Sequence, residues 1–219
     1  MAKSTVYFTN ELTPEAVVKM YRQLGIELPG KVAVKVHSGE DGNQNYLHPE
    51  FMKPVIDAVN GTVVECNTAY GGARKQLSIG CASSAGKTYI HTGGKVTDQH
   101  ILWENCAEQD TFLEAMADAA STVAKHFAGK IAYVAIMKNL SVDCDCCAVA
   151  EDPCMNDVGI LSSLDPVALD RACIDLVINS NDPGHDHFME RVNSRHGTHT
   201  IDTAETLGIG TQAYELVKV

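Results

Sequence analysis

Residues 31–36 read KVAVKV, and this alternation of polar and apolar side chains predicts a β-strand with one buried face. Before it, Thr13 followed by Pro14 predicts a helix start, because a hydroxyl caps the first turn and proline fits the first helical position. After it, Pro49 opens a second helical pattern. β-Branched runs at 5–9 and 62–66 add two strands. The order β-α-β-α-β predicts a parallel or mixed sheet with helices on its faces.

The second half of the chain continues this pattern. An apolar stripe predicts a long helix over 108–127, and the apolar run 130–137 suits a central strand. Further helices are expected at 166–179, 186–195 and 203–207, with a final strand at 214–219. No internal repeat and no linker divides the sequence. We therefore expect a single α/β domain over 1–219, with a mixed, mostly parallel sheet and helices on both faces.

Charge and hydropathy exclude several classes of partner. The chain has 219 residues, of which 17 are basic and 28 acidic, and a formal net charge of −11. This charge repels phosphate backbones, so we expect no nucleic acid partner. No apolar run approaches the ~20 residues that cross a bilayer, and the first residues hold no apolar core of an export signal. We expect a cytoplasmic protein without a membrane partner.

A cysteine cluster is the most distinctive feature of the sequence. Four of the eight cysteines fall close together, as Cys144, Cys146, Cys147 and Cys154, directly after the predicted strand at 130–137. Nearby carboxylates raise thiol pKa values, whereas a bound cation would deprotonate the thiols and relieve the repulsion. Thiolate-rich sites select zinc, copper(I) or iron–sulfur clusters. These four cysteines are therefore candidate metal ligands. The alternative is an acidic surface loop with redox-labile thiols.

A second group of residues suits a small anionic ligand. Lys35 and His37 share one face of a predicted strand end, and Glu40 follows them. They could instead form a polar strand end in water. Lys75 lies in a glycine-rich basic stretch, and Lys87 lies in GCASSAGKT, residues 80–88, which has one residue too many between its glycines for a nucleotide phosphate loop. That stretch could equally be a close-packed turn. The sequence assigns no catalytic residue.

Together these pieces resemble the domain-of-unknown-function family 362. The blocks that carry the resemblance are KVHSGE (35–40), GN (42–43), NTAYGG (67–72), KQLSIG (75–80), ASSAGK (82–87), DCDC (143–146) and DVGILSSLDPVALD (157–170). The resemblance implies an iron–sulfur centre protein, and its cysteine block contains Cys144 and Cys146. Many family members also carry an inserted ferredoxin-like module.

This chain departs from the family pattern in two ways. It has no ferredoxin-type cysteine run, and its blocks join directly near 72–74, where family members have a long central stretch. It resembles a short form with an internal deletion, and an exposed sheet edge there would favour self-association. We expect an iron–sulfur cluster or zinc in a redox or cofactor-related role, with a redox partner. The alternatives are a non-catalytic binding protein for a small anionic ligand, or an inactive shortened family member.

Overall fold

A computed structural model describes residues 3–36, 42, 44–64, 82–143 and 149–219. Its strands are β1 (Ser4–Thr9), β2 (Val32–Lys35), β3 (Gly61–Val64), β4 (Tyr133–Met137), β5 (Gly159–Ser163) and β6 (Tyr214–Lys218). Its α-helices are α1 (Pro14–Gln23), α2 (Pro49–Ala58), α3 (Ser84–His91), α4 (Gln109–His126), α5 (Pro166–Ile178), α6 (His185–Ser194) and α7 (His199–Thr206). A short 3₁₀ helix spans Gln99–Ile101. The α/β class expected from the sequence is confirmed.

The strands form two separate sheets, of which the four-stranded sheet is mixed and the two-stranded sheet is parallel. The main sheet has the order β4-β5-β1-β6, and β2 pairs with β3 in a second, two-stranded sheet. β5 runs antiparallel to both β4 and β1, whereas β1–β6 and β2–β3 are parallel pairs. A cavity of about 430 Å³ lies where residues 32–36 of the small sheet face residues 131–135 of the main sheet. The sheet structure is therefore mixed, as expected.

Helices cover both faces of the main sheet. Because adjacent strand residues point to opposite faces, Ile160 and Leu161 mark the two sides of β5. Ile160 packs in a core cluster with Val17 and Met20 of α1, together with Val55 of α2. Leu161 packs in another cluster with residues of α5. The predicted arrangement of helices on both faces is confirmed.

Asp165 joins three parts of the chain. One carboxylate oxygen caps α5, accepting from the backbone N–H groups of Val167 at 2.9 Å and Ala168 at 3.0 Å. The other accepts from the Ser4 hydroxyl at 2.7 Å and from the backbone N–H of Thr211 at 3.0 Å. The residues 157–170 that resemble the family therefore hold the first strand, α5 and the C-terminal segment together.

Helix α3 differs from the sequence expectation of a small-residue loop or close-packed turn. Ser83 caps it by accepting from the backbone N–H of Gly86 at 3.2 Å. The buried hydroxyls of Thr88 and Thr92 donate to carbonyls one turn earlier, at 3.1 and 3.0 Å. The Ser83 cap thus stabilises the start of a helix that shows no clear apolar period, and back-bonding satisfies the buried hydroxyls. Among the described residues, no helix combines the length and apolarity needed to traverse a bilayer.

Candidate functional site

A cleft of about 470 Å³ lies where β2 and β4 end. Lys35 and Val36 line it from the end of β2, and residues 138–143 line it from the loop after β4. Asn45 and Leu47 contribute from the segment before α2, Met52 contributes from α2, and Phe188 contributes from α6. Ligands in α/β sheets usually bind outside the carboxyl ends of strands. The cleft therefore brings together two regions that the sequence singled out, the end of β2 and the segment leading to the cysteine cluster.

Hydrogen bonds connect the residues that flank segment 144–150, which we call the cysteine loop. The Asp143 carboxylate accepts from the backbone N–H of Glu151 at 2.9 Å. The Glu151 carbonyl accepts from the Ser141 hydroxyl and from the Asn45 amide, both at 2.9 Å. The segment 144–150, which contains Cys144, Cys146 and Cys147, is therefore closed at its base beside the cleft. Residues 144–148 themselves lie outside the described part of the chain.

Helix α6 supplies positive charge to this base. Arg191 Nη1 donates to the Asp143 carboxylate at 3.1 Å and to the Val142 carbonyl at 3.0 Å. The hydrogen bond from the Glu151 N–H, followed by the interaction with Arg191, holds the pKa of Asp143 below its usual value. His187 Nε2 lies 3.0 Å from a Glu151 carboxylate oxygen. The Asp143 carboxylate is therefore ionised at neutral pH and has a cationic partner.

Two lysines line the cleft. Lys35 Nζ donates to the Val36 carbonyl. Lys138 Nζ lies 2.8 Å from Asp157 Oδ2, and Asp157 Oδ1 accepts from the backbone N–H of Asn139 at 2.8 Å. Asn139 adopts a φ of 55°, a left-handed conformation that asparagine tolerates and that turns the chain at this point. The described lining therefore contains two ammonium groups and the carboxylate of Asp143, and Asp157 outside the lining pairs with one of the ammonium groups.

The predicted anion-site residues do not all lie in one place. Lys35 lines the cleft, whereas Lys87 is fully buried in α3 and is not part of the described lining. Its backbone carbonyl lies 2.7 Å from His91 Nδ1. His37, Glu40 and Lys75 fall outside the described residues. Lys87 is buried because it lies in α3. The small residues of this stretch did not predict that helix.

Of the four predicted metal ligands, Cys154 alone falls within the described residues. Its backbone N–H donates to the Leu140 carbonyl at 2.8 Å, and its Sγ lies 3.5 Å from the same oxygen. Burial, with smaller contributions from Glu151 and Asp182, raises the pKa of this thiol. The geometry favours a protonated thiol at Cys154. No set of three or more His, Cys, Asp or Glu side chains in the described ranges is arranged to hold a metal.

Sequence reasoning missed the residues that organise the loop base. Arg191 lies 48 positions from Asp143, and Asn45 lies 106 positions from Glu151. Lys138 and Ser141 follow the predicted strand directly, and their position at a strand end was the one available signal. Arg191 had no comparable signal, because charged residues on a helix are usually solvated.

Comparison with known proteins identifies the family. No curated protein and no solved structure matches the chain. One family model, described as a domain of unknown function, matches residues 64–175. The matched region begins at the end of β3 and contains the cysteine cluster, the lining loop 138–143 and most of α5. This match covers just over half of the sequence, and the chain belongs to the DUF362 family.

Proposed function

We propose that this DUF362 protein binds a metal or iron–sulfur centre through thiolates of the cysteine loop, in a redox or cofactor-related role. The observation that supports the proposal is the closed base of segment 144–150, formed by the hydrogen bond between Glu151 and Asp143. Closing a loop in advance lowers the conformational entropy lost when its side chains converge on one ion. Cys144, Cys146 and Cys147 would be the principal ligands.

The donor chemistry fits such a centre. Three thiols lie within four consecutive residues, and their mutual repulsion as thiolates would be relieved by a bound cation. Cys154 would be the fourth ligand only after losing its contact with the Leu140 carbonyl and its proton. When bound, an iron–sulfur centre would supply electron transfer, and zinc would supply a structural or Lewis-acid role.

Anaerobic purification followed by elemental analysis and a visible spectrum tests this proposal. We expect stoichiometric metal in the natural chain and its loss in the double variant Cys144→Ser with Cys146→Ser. Cys106→Ser is the matched control, because Cys106 is an exposed free cysteine of the segment between α3 and α4. That variant is expected to retain the metal. Metal-free protein with all eight thiols reactive would overturn the proposal.

A second candidate function is supported by the two lysines of the cleft. We propose, as the alternative, a non-catalytic binding protein in which Lys35 and Lys138 hold a small anion at the strand ends. Calorimetric titration with inorganic phosphate tests it. Lys35→Gln and Lys138→Gln are expected to weaken phosphate binding, whereas Lys53→Gln, on the exposed side of α2, is the control that should not. Equal phosphate affinity in all four proteins would exclude this function.

These experiments distinguish the two proposed functions, because each function predicts a different result. The metal proposal predicts bound metal that depends on Cys144 and Cys146 and does not require Lys35. The anion proposal predicts normal phosphate binding in the double cysteine variant. A chain that binds neither would be an inactive shortened family member. The anion-binding roles of His37, Glu40, Lys75 and Lys87 stay predictions that the same titration can examine by substitution.

A further inference from the structure

Asp170 of α5 has an unusual environment for a carboxylate. Within the described part of the chain, no hydrogen bond or ion pair engages it, and burial is the sole cause of the shift in its pKa, which rises to about 6. The residue is solvent-exposed where it borders a cavity, although protein atoms crowd its carboxyl group. Crowding by protein atoms disfavours the charged form of a carboxyl group that has no cationic partner.

Two cavities meet at this residue. One, of about 420 Å³, lies between α4, α5 and α7. The other is the cavity of about 430 Å³ between the two sheets. Tyr133, Leu169 and Asp170 line both. The first cavity is otherwise mostly apolar, with Met116, Ala117, Ala120, Ala124, Ala204 and Ile209 in its walls. Its size falls within the range typical of small-molecule sites, and an apolar pocket with few polar groups is their usual form.

Two cationic side chains occur near Asp170, and no hydrogen bond or ion pair to it is described for either. Lys35 lines the cavity between the two sheets, and its ammonium group donates to the Val36 carbonyl. Arg171 is held by the carboxylate of Asp175, which also accepts from the Tyr214 hydroxyl at 2.9 Å. Tyr133 faces the cavity as a neutral phenol, because burial, with smaller contributions from Asp165 and Asp170, raises its pKa to about 12. The cavity therefore offers one negative charge, one neutral phenol and a large apolar wall. This combination favours a cationic group attached to an apolar body and disfavours an anion.

We propose that the cavity between α4, α5 and α7 binds a small apolar molecule that carries one protonated amine, with the amine at Asp170 and the apolar body against α4 and α7. This site is distinct from the cleft at the ends of β2 and β4, with which it shares no described lining residue. It requires neither the metal nor the anion proposal to be correct.

Isothermal titration at pH 7.5 with n-hexylamine, 1-hexanol and hexanoate tests this inference, since the three probes share one apolar chain and differ in charge. We expect hexylamine to bind most tightly and hexanoate least. Asp170→Asn should weaken hexylamine binding about tenfold or more and leave hexanol binding unchanged, because the carboxylate provides a charge-assisted hydrogen bond to the ammonium group alone. Asp118→Asn is the control, since Asp118 faces the groove between α3 and α4.

A cavity-filling variant separates binding in this cavity from binding elsewhere. Ala120→Leu places a larger side chain in the wall and should abolish binding of both hexylamine and hexanol. Thermal unfolding checks that the variant is folded, and Ala124→Leu replaces it if it is not. Hexylamine affinity that survives either Asp170→Asn or cavity filling would overturn the proposal, as would hexanoate binding as tightly as hexylamine.

Discussion

The carboxylate of Asp143 accepts a hydrogen bond of 2.9 Å from the backbone N–H of Glu151, eight positions along the chain. This contact closes the segment that carries Cys144, Cys146 and Cys147. Arg191 of α6 donates to the same carboxylate, so the loop base is anchored to a helix outside the loop. The base of this loop thus depends on a carboxylate that is itself held by two donors.

Under the metal proposal, Asp143→Ala should loosen the cysteine loop and speed the loss of the bound metal. The substitution removes both anchoring interactions, so the thiols would converge less readily on one ion. The measurement is the rate at which a chelator removes metal from the purified protein, which we expect to rise about tenfold or more. Asp152→Ala, an exposed acidic position just after the loop, controls for loss of charge. Identical rates in the natural chain and Asp143→Ala would contradict the anchoring role.

Asp170→Asn should change how stability depends on pH. The pKa of Asp170 in the folded protein is about 6, above the ordinary value of 3.8. A raised carboxyl pKa means that the neutral form is favoured by folding, so its contribution is complete below pH 4 and is lost as the pH rises through 6. We expect the variant to match the natural chain near pH 4 and to exceed its free energy of unfolding by about 1 kcal/mol at pH 7.5. The estimate is small because solvent reaches the carboxyl through the cavity.

Urea unfolding at pH 4.0 and 7.5 measures this difference directly. Of the groups facing Asp170, Tyr133 has a pKa near 12, and burial, then Asp170, raises the pKa of the Cys173 thiol. Neither titrates between pH 4 and 7.5, so the change in the difference belongs to Asp170. A difference that stays constant between the two pH values would show that the folded protein does not disfavour the ionised carboxyl.

Asp165→Ala should be strongly destabilising. The carboxylate accepts from Ser4, Val167, Ala168 and Thr211, and its loss would leave these four donors without this partner. We expect a loss of about 3 kcal/mol in the free energy of unfolding, since cap removal costs ~1 kcal/mol and each unsatisfied donor adds to it. Ser4→Ala removes one of the four bonds and should cost about 1 kcal/mol. Chemical denaturation measures the free energy of unfolding of both variants. A smaller loss for Asp165→Ala than for Ser4→Ala would contradict this prediction.

Gly184→Ala should destabilise the start of α6. A Cβ at this position would collide with the backbone carbonyl oxygen of Cys154, which cannot move without shifting the main chain at that residue. We expect a loss of about 2–3 kcal/mol in the free energy of unfolding. Gly197→Ala is the matched comparison, because its added Cβ would lie 3.3 Å from the Val192 carbonyl oxygen and needs a smaller adjustment. Comparable unfolding energies for the two variants would contradict the close approach at Gly184.

Local features of the sequence were sufficient for most elements. The helix start at Thr13 follows from a side-chain cap that forms its hydrogen bond as expected, and the helix expected from residue 166 begins after the cap formed by Asp165. The long helix expected over 108–127 is α4, Gln109–His126, and the apolar run at 130–137 contains β4. These signals are readable because capping and side-chain periodicity act within a few residues of one another.

Pairing between distant strands could not be predicted from such local features. An apolar strand can pair equally well with a parallel or an antiparallel neighbour. Nothing in residues 159–163 therefore indicates that β5 runs antiparallel to both β4 and β1. The separation of β2 and β3 into their own sheet likewise depends on how α1 and α2 pack against the main sheet. Register and direction are set by the combined packing of both faces, which local sequence does not encode.

The features of the candidate sites likewise fall into two groups, those predictable from the sequence and those that require the folded chain. Residue chemistry alone singled out the cysteine cluster and the end of β2, and blocks of the sequence alone carry the resemblance to DUF362. The convergence of Lys35, Asp143 and Arg191, the burial of Lys87 and the unpaired carboxylate of Asp170 came only with the folded chain. The physical reason is that charge pairing and desolvation depend on distances through space, and those distances join residues that lie tens of positions apart in the sequence.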